Sequence, residues 1–331
     1  MHPSLTAVLL AGFCTALLMP AWIALAKRHG IQDLPQQRRL HGSVTPRGAG
    51  VCIGLSLVAG LALSDGAEFA PPLALLSVLL FASIGVWDDL RSPSAIAKFV
   101  LQSLVALLLG FALRESWPLA WSVAVLVLAA GCLLYVNLWN FMDGINGLVA
   151  IQTVLIAAAL ALWPGQGPEL ALAAAWFAGA GLGFLPFNLP KASAFLGDSG
   201  SYLLGVAIFL LLALSVREGR FSLPQAFVLS SGILFDGGFT LLQRAMRGSD
   251  LWRAHREHLY QYAVRRGHSH ASVSLMYAAW TMLAAALAWN MGRLPAMQQW
   301  MLLTAFLIAS WFAHVSLKRY CLASARRRKV A

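Results

Sequence analysis

The amino-acid sequence predicts an all-α protein, a polytopic bundle of about eleven transmembrane helices. Of its 331 residues, 59% are hydrophobic and only 11% are charged, and the mean hydropathy is +0.71. A soluble domain carries roughly a quarter charged residues. These proportions exclude a water-soluble enzyme, a nucleic-acid-binding module and a disordered scaffold. The net charge of +11 does not indicate a nucleic-acid partner, because the 24 lysines and arginines lie in short runs between long apolar stretches.

Eleven stretches with little or no charge each suit one helical crossing, which needs about 20 residues. The first stretch is charge-free and has no basic residues before it. It is too long for the core of a signal peptide, so we expect a retained transmembrane helix. The whole chain, 1–331, then forms one integral membrane domain. The predicted crossings are 3–26, 48–64, 69–87, 99–113, 118–136, 148–163, 170–186, 201–216, 221–237, 273–290 and 296–313.

The basic residues predict the orientation of these crossings. Of the 24 lysines and arginines, 20 fall in one alternate set of connecting segments and only 4 in the other. Cytoplasmic loops carry the excess of positive charge, so the amino terminus is predicted outside, in the periplasm, and the carboxyl terminus in the cytoplasm. The predicted cytoplasmic segments are 27–47, 87–98, 137–147, 186–200, 238–272 and the tail after 313.

Five aspartates lie where an apolar run ends on this cytoplasmic side. The intervals from Asp89 to Asp143 and from Asp143 to Asp198 are 54 and 55 residues, enough for two crossings and a turn. The chain therefore returns to the same membrane face at each of these aspartates. An ionisable group near hydrocarbon is costly unless it is paired, hydrated or bound to a cation. A single aspartate could be a helix cap, but convergence predicts a functional cluster. Its members are Asp88, Asp89, Asp143, Asp198 and Asp236.

The residues around these aspartates point to phosphate and metal chemistry. Segment 137–147 combines three amides, a carboxylate and two glycines, and Asp198 lies between Gly197 and a second glycine. Glycines let backbone N–H groups approach an anion while a carboxylate holds a hard divalent cation. Segment 238–272 adds six arginines and four histidines. Among these, His255 and His258 are spaced i and i+3, which predicts a shared helical face.

Five motifs make the chain resemble the polyprenyl-phosphate N-acetylhexosamine-1-phosphate transferase family. The resemblance covers most of the chain, with the motifs in order and on one predicted membrane face. They include an Asp-Asp pair, an N-x-x-D-G-x-N-G element, a G-D-x-G-S element and an H-x-x-H element. The motifs occupy residues 41–50, 87–91, 140–147, 197–201 and 255–258.

The resemblance implies a reaction, a cofactor and a location. An N-acetylhexosamine-1-phosphate would pass from a UDP-sugar to undecaprenyl phosphate, giving an undecaprenyl-diphosphate sugar and UMP. Mg²⁺ would be required, and Mn²⁺ could substitute. The enzyme would cross the bacterial inner membrane several times, with its active site at the cytoplasmic face. We prefer direct attack of the lipid phosphate on the β-phosphate, and a covalent phospho-aspartate is the alternative.

The resemblance also implies roles for individual residues. Asp198 would bind the metal directly, with Asp143 as a second ligand. Asp88 would act as a base-like carboxylate towards the lipid phosphate, and Asp89 would support it or contact the metal. Substrate would be held by the remaining motif residues and by one amide in segment 186–200. These are Thr45, Arg47, Asn140, Asn146, Asn188, Arg253 and Arg256, together with His255 and His258.

Two departures from the family pattern indicate which branch of the family the chain resembles. Asn146 stands where some relatives carry aspartate, so a hydrogen-bonding role is expected for it. The histidine motif lacks a run of adjacent histidines, which argues against a phospho-MurNAc-pentapeptide transferase of peptidoglycan synthesis. We therefore expect the branch that initiates O-antigen or related envelope polysaccharides. Outside this class, an ion-coupled transporter or another enzyme acting on lipid phosphate is the alternative. A homodimer is possible.

Overall fold

Among the described residues, every regular element is a helix apart from one two-residue β-ladder. The computed structural model describes residues 3–33, 44–63, 69–115, 117–251, 253 and 255–330, and it describes their side chains except at 3, 61–63 and 324–330. The ladder is antiparallel and pairs β1 (Gln32–Asp33) with β2 (Thr45–Pro46). The helices are α1 Pro3–Arg28, α2 Gly50–Leu63, α3 Pro72–Arg91, α4 Ala95–Leu113, α5 Trp121–Met142, α6 Leu148–Ala161, α7 Pro168–Asn188, α8 Gly197–Arg217, α9 Leu223–Leu229, α10 Ser231–Met246, α11 Leu259–Arg265, α12 His270–Met291 and α13 Ala296–Val330.

Within the described ranges, eight helices are long and apolar enough to cross a membrane, or nine if the bent pair α9 and α10 is one crossing. The protein is therefore a multi-pass membrane protein. Each predicted stretch coincides with helix, but the count of eleven crossings is not confirmed. Helices α2 and α6 have 14 residues each. At 1.5 Å per residue such a helix extends about 21 Å, less than the roughly 30 Å hydrocarbon core.

The chain divides into two compact units, Met1–Phe221 and Ser222–Ala331. In the first unit α8 is the central helix, and 94% of its apolar 18-residue stretch is buried. It packs against α2, α3, α5 and α6, which explains its nearly continuous apolar sequence. A polar contact fixes α5 against α6, where Trp139 Nε1 donates a hydrogen bond to Thr153 Oγ1 at 3.1 Å.

Gly85 allows α3 to approach the start of α8 closely. A Cβ atom at this position would lie 2.5 Å from Ser199 Cα and 2.6 Å from Ser199 N. Because the opposing atoms are backbone, we expect Gly85→Ala to destabilise the protein by about 1–3 kcal/mol, the usual cost of overpacking. Thermal unfolding in detergent measures this loss. Gly54→Ala is the matched control, since its Cβ would meet only Leu203 Cδ2 at 3.6 Å. Equal stability of the two variants would contradict the packing argument.

The second unit begins with a sharp bend. Helices α9 and α10 meet at an angle of 84°, and Ser230 lies between them. The predicted crossing 221–237 is therefore wrong as a single helix, and α10 continues to Met246. The sequence suggested that Asp236 lies at the end of a helix, but it lies inside α10. This buried carboxylate is stabilised because it accepts hydrogen bonds from backbone N–H groups of α11.

Candidate active site

Four carboxylates gather at one end of the first unit. Asp88 and Asp89 lie in the last turn of α3, Asp143 directly follows α5, and Asp198 is the second residue of α8. Three segments far apart in the chain thus deliver the acidic residues that the sequence placed on one face. The fifth aspartate, Asp236, belongs to the second unit.

Asp89 anchors the first turn of α8. Its carboxylate accepts a hydrogen bond from Asp198 N to Oδ1 and another from Ser199 N to Oδ2, both at 3.0 Å. A carboxylate at a helix amino terminus satisfies N–H groups that have no partner in the helix and interacts favourably with the helix dipole. Gly197 has φ +76°, and a Cβ atom there would lie 2.7 Å from Asp89 Oδ2. Only glycine fits this contact, so Asp89 positions Asp198.

The segment around β2 lies against this turn. Arg47 Nη2 donates a hydrogen bond to the backbone oxygen of Asp89, and Trp22 Nε1 donates to Arg47 O at 3.2 Å. Backbone bonds from Phe195 N to Pro46 O (2.8 Å) and from Gly50 N to Leu196 O (2.9 Å) join the two segments. Arg47 therefore lies beside the carboxylates, and its contact with the substrate phosphates stays a prediction.

Thr45 is buried in β2, opposite Asp33 of β1. Residues 41–43 of the same motif lie outside the described part of the chain. Thr45 therefore has a defined place beside Arg47, and its contact with substrate stays a prediction.

Asp88 is paired with Lys98, whose role the sequence left open, and accepts a hydrogen bond from Tyr202, which sequence reasoning missed. Lys98 Nζ, in the first turn of α4, lies 2.8 Å from Asp88 Oδ2, and Tyr202 OH in α8 donates a hydrogen bond to the same oxygen at 2.9 Å. Lys98 was visible as one of two basic residues in the predicted loop 87–98. The sequence does not indicate a functional role for Tyr202, because an isolated tyrosine within an apolar stretch is common. The pairing gives Asp88 a cationic neighbour able to face a phosphate.

The amide Asn140 joins Asp198 to Ser201. Its Nδ2 donates to Asp198 Oδ1 and, at 3.1 Å, to Ser201 Oγ. Asp143, one turn further on, accepts no hydrogen bond from any described residue. Burial, followed by the negative charges of Asp198 and Asp89, raises its pKa well above the usual range of an aspartate. Its surroundings in the protein therefore favour the protonated form of Asp143.

The donor chemistry at Asp198 and Asp143 fits a hard divalent cation. Both supply carboxylate oxygens, and Asp143 has no internal hydrogen-bond donor in the described ranges. Those ranges contain no group of three or more His, Cys, Asp or Glu arranged to hold a metal ion. Mg²⁺ commonly uses only one or two carboxylates and completes its shell with water and substrate phosphates. The pair therefore suits a metal that arrives with a phosphate substrate.

Asn188 and Asn146 connect two loops of the first unit. Asn188 Oδ1 accepts a hydrogen bond from Gly147 N at 2.5 Å, and its Nδ2 donates to Ala194 O at 2.9 Å. Asn146 Nδ2 donates to Pro190 O at 3.3 Å. These contacts position the segment that carries Asp143. Direct contact of either amide with substrate stays a prediction.

In the second unit Asp236 anchors α11 as Asp89 anchors α8. Its carboxylate accepts hydrogen bonds from Leu259 N at 2.7 Å, Tyr260 N at 3.2 Å and Tyr277 OH at 2.6 Å. His258, immediately before α11, is thereby fixed, with Nδ1 4.0 Å from Asp236 Oδ1. The sequence could not assign Asp236 a role, and these contacts make it a positioning residue for His258.

His255 and His258 lie close together, with ring centroids 5.0 Å apart, but both precede α11. The predicted shared helical face is therefore wrong, since His258 is the amino-terminal cap of that helix. Burial, then the charges of His258 and Arg244, lower the pKa of His255 to about 4. Burial also lowers the pKa of His258. The free protein holds both imidazoles neutral at neutral pH.

The arginines of this segment have unequal surroundings. Arg244 and Arg247 both pair with Glu257, so they are partly neutralised inside the unit. Arg253 is exposed, and Arg256 is half-buried. Arg253 and Arg256 remain the candidates among the predicted substrate-binding residues.

The lowered histidine pKa predicts acid sensitivity. A histidine whose folded pKa lies below its unfolded value of 6.5 contributes stability that is lost as pH falls from about 6.5 towards 4. Replacing His255 by Asn removes this proton uptake, so the variant's melting temperature should fall less steeply than that of the wild type over this window. Thermal unfolding from pH 7 to pH 4 measures the slopes. His268→Asn is the control, and identical slopes for His255→Asn and wild type would contradict the assignment.

Fold and site together define a multi-pass helical membrane protein with a carboxylate cluster at one end of its first unit. Residues 72–216 match the family model of glycosyl transferase family 4. The chain is 27% identical to the decaprenyl-phosphate N-acetylglucosaminephosphotransferase of Mycobacterium tuberculosis over 85% of its length and 80% of the relative. It is 28% identical to the probable undecaprenyl-phosphate N-acetylglucosaminyl 1-phosphate transferase of Bacillus subtilis, covering 79% and 77% of the two chains.

These matches confirm the resemblance that the motifs indicated. The chain is similar to polyprenyl-phosphate N-acetylglucosamine-1-phosphate transferases, and its segment 72–216 matches glycosyl transferase family 4. The matched segment contains the four carboxylates of the cluster, together with Lys98, Asn140 and Tyr202.

Proposed function

We propose that the protein transfers an N-acetylhexosamine-1-phosphate from a UDP-sugar to undecaprenyl phosphate, releasing UMP. The observation that carries this proposal is the cluster of Asp88, Asp89, Asp143 and Asp198, with Lys98 2.8 Å from Asp88. The family and the names of the relatives support the same class of reaction, phosphosugar transfer to a polyprenyl phosphate.

The reaction joins two anions. A phosphate oxygen of the lipid forms a new bond to the β-phosphorus of the UDP-sugar, the bond from that phosphorus to the bridging oxygen breaks, and UMP leaves with the bridging oxygen. Positive groups at fixed positions lower the barrier by offsetting charge on the incoming and leaving phosphates. Lys98 and Arg47 supply such charge in the first unit. Asp88, held by Lys98 and Tyr202, orients the attacking phosphate and accepts its proton when one is present.

Mg²⁺ is proposed as the cofactor, held by Asp198 and Asp143, and Mn²⁺ is proposed as a substitute. When bound, the ion would polarise the phosphoryl oxygens and neutralise charge on the leaving UMP. Asn140 keeps the Asp198 carboxylate oriented, and Asp89 keeps the first turn of α8 in place. Burial, and then the negative charges of Asp198 and Asp89, raise the pKa of Asp143, and a divalent cation would balance those charges and favour the ionised carboxylate.

The donor is proposed to be a UDP-N-acetylhexosamine, with UDP-N-acetylglucosamine as the first candidate because the relatives' names specify that sugar. The proposed pathway is the initiating step of O-antigen or a related envelope polysaccharide, at the cytoplasmic face of the bacterial inner membrane. The names of these relatives and the absence of adjacent histidines both argue against a MurNAc-pentapeptide donor. His255, His258, Arg253 and Arg256 are proposed to bind the diphosphate, on the strength of the motif resemblance.

The test is UMP release by purified protein with undecaprenyl phosphate, a panel of UDP-N-acetylhexosamines and either Mg²⁺ or EDTA. Release that requires the lipid, one donor and the metal would support the proposal. The preferred donor would identify the sugar. Absence of release with every donor, from folded protein, would refute the proposed reaction, and release that persists in EDTA would refute the metal requirement.

A further inference from the structure

Helix α11 of the second unit is too short to hold its own position. It has seven residues, and an isolated helix of this length is marginal in water because its first turn is costly to form. His258 is the cap residue directly before it, so the place of the His258 side chain depends on the contacts that fix α11. Asp236 fixes the first turn by accepting hydrogen bonds from Leu259 N and Tyr260 N. The rest of the helix must be held by other contacts.

The last helix, α13, contacts α11 at two places. Lys318 Nζ of α13 lies 5.7 Å from the centre of the Tyr262 ring in α11, within the range of a cation–π contact. Arg266 directly follows α11, and its guanidinium carbon lies 3.5 Å from the centre of the Tyr320 ring of α13. Helix α13 therefore supports both the middle and the end of α11.

Lys318 is also connected to the carboxylate that starts α11. Its Nζ donates hydrogen bonds to Thr240 Oγ1 and Gln243 Oε1 of α10, each at 3.1 Å. Thr240 Oγ1 in turn donates to Asp236 Oδ1 at 3.4 Å. Lys318, Thr240 and Asp236 are 6%, 0% and 4% exposed. Because a buried ammonium group is costly unless an anion and hydrogen-bond acceptors compensate it, Lys318 and Asp236 stabilise each other's charge.

We propose that Lys318 is a positioning residue for His258, an inference that rests on the proposed function. It acts through the hydrogen bonds that lead by Thr240 to Asp236 and through its contact with Tyr262. His258 is proposed to bind the diphosphate of the UDP-sugar, so a displaced α11 would weaken donor binding. Lys318 follows the predicted crossing 296–313, where the sequence indicated only a basic tail.

The kinetic test uses full-length protein in detergent and two variants, so that a folding failure of one leaves the other. Lys318→Met keeps an unbranched side chain and removes its charge, and Thr240→Val keeps the side-chain shape and removes the bridging hydroxyl. Because misplacement of a group that holds the reacting phosphates lowers rate steeply, kcat/KM for the UDP-sugar should fall by about tenfold or more in Lys318→Met. Most of this loss should be a rise in KM. Arg319→Gln is the matched control, since Arg319 is the exposed neighbour on the same helix.

A double-mutant cycle with His258→Gln separates positioning from a general loss of stability. If Lys318 acts through His258, Lys318→Met should change kcat/KM by less than about twofold in the His258→Gln background. The same fold loss in both backgrounds would overturn the proposal. Wild-type kinetics for both folded Lys318→Met and folded Thr240→Val would overturn it as well, and either result would leave the proposed function intact.

Amide hydrogen exchange gives a second readout that needs no turnover. The N–H groups of Leu259 and Tyr260, which donate to Asp236, should exchange faster in Lys318→Met than in the wild type or in Arg319→Gln, well below the unfolding temperature. Unchanged exchange of these two amides would overturn the positioning role. If the wild type releases no UMP with any donor, the proposed function fails, and faster exchange would still support the role of Lys318 in fixing α11.

Discussion

Asp198→Asn should lower UMP release by about 10²–10³-fold or more, the usual cost of removing one electrostatic group that acts on the reacting phosphates. The substitution keeps the shape of the side chain and removes its charge. Asn140 Nδ2, which donates to Asp198 Oδ1 in the wild type, can still donate to the new amide oxygen, so the start of α8 should stay in place. Initial rates across a Mg²⁺ titration measure the effect.

The matched control for this variant is Asp250→Asn, an exposed aspartate outside the cluster. It should retain wild-type rates. Thermal unfolding of both variants should match the wild type within about 1 kcal/mol. Near-normal turnover by folded Asp198→Asn protein would remove Asp198 from the site and would leave Asp143 without its proposed partner in metal binding.

Asp89→Ala should be the most destabilising substitution in the cluster. It deletes the acceptor for Asp198 N and Ser199 N, each bonded at 3.0 Å, in a place where the Asp89 side chain is buried. Two buried donors at a helix amino terminus would then have no partner, which costs about 2–4 kcal/mol. Activity should also fall, because the turn that holds Asp198 moves. Thermal unfolding and UMP release are measured on the same preparation.

Asp143→Ala is the comparison variant for stability, because the Asp143 carboxylate accepts no hydrogen bond from the described residues. It should unfold at or above the wild-type temperature, since it removes a carboxyl group whose ionisation is disfavoured by burial and by the charges of Asp198 and Asp89. If Asp89→Ala and Asp143→Ala have the same stability, the anchoring role of Asp89 is wrong.

Several features could be predicted from the sequence alone, because they depend on composition or on neighbouring residues. Apolar stretches of about 20 residues predict membrane helices since unpaired backbone polar groups are too costly in lipid. Asp198 could be chosen because it is a carboxylate between glycines in a G-D-x-G-S element. Arg47 could be chosen in the same way, from its motif.

Other predictions failed because helix ends are decided by packing. The apolar run 221–237 satisfies every compositional requirement for one crossing, yet the chain bends by 84° between α9 and α10. His255 and His258 have helical spacing, but the hydrogen bonds that Asp236 accepts start α11 only after His258. Spacing along the chain carries no information about such long-range partners.

The sequence by itself determined the class of protein, the helical content, the family and the set of acidic residues, because each is set by residue type and local order. Only the tertiary structure decided which role each of these acidic residues has. Asp89 anchors α8 across 110 residues of sequence, Asp88 is paired with Lys98, and Asp143 is left with like-charged neighbours. The physical reason is that a carboxylate's role depends on which donors and charges surround it, and here those groups come from helices distant in the chain.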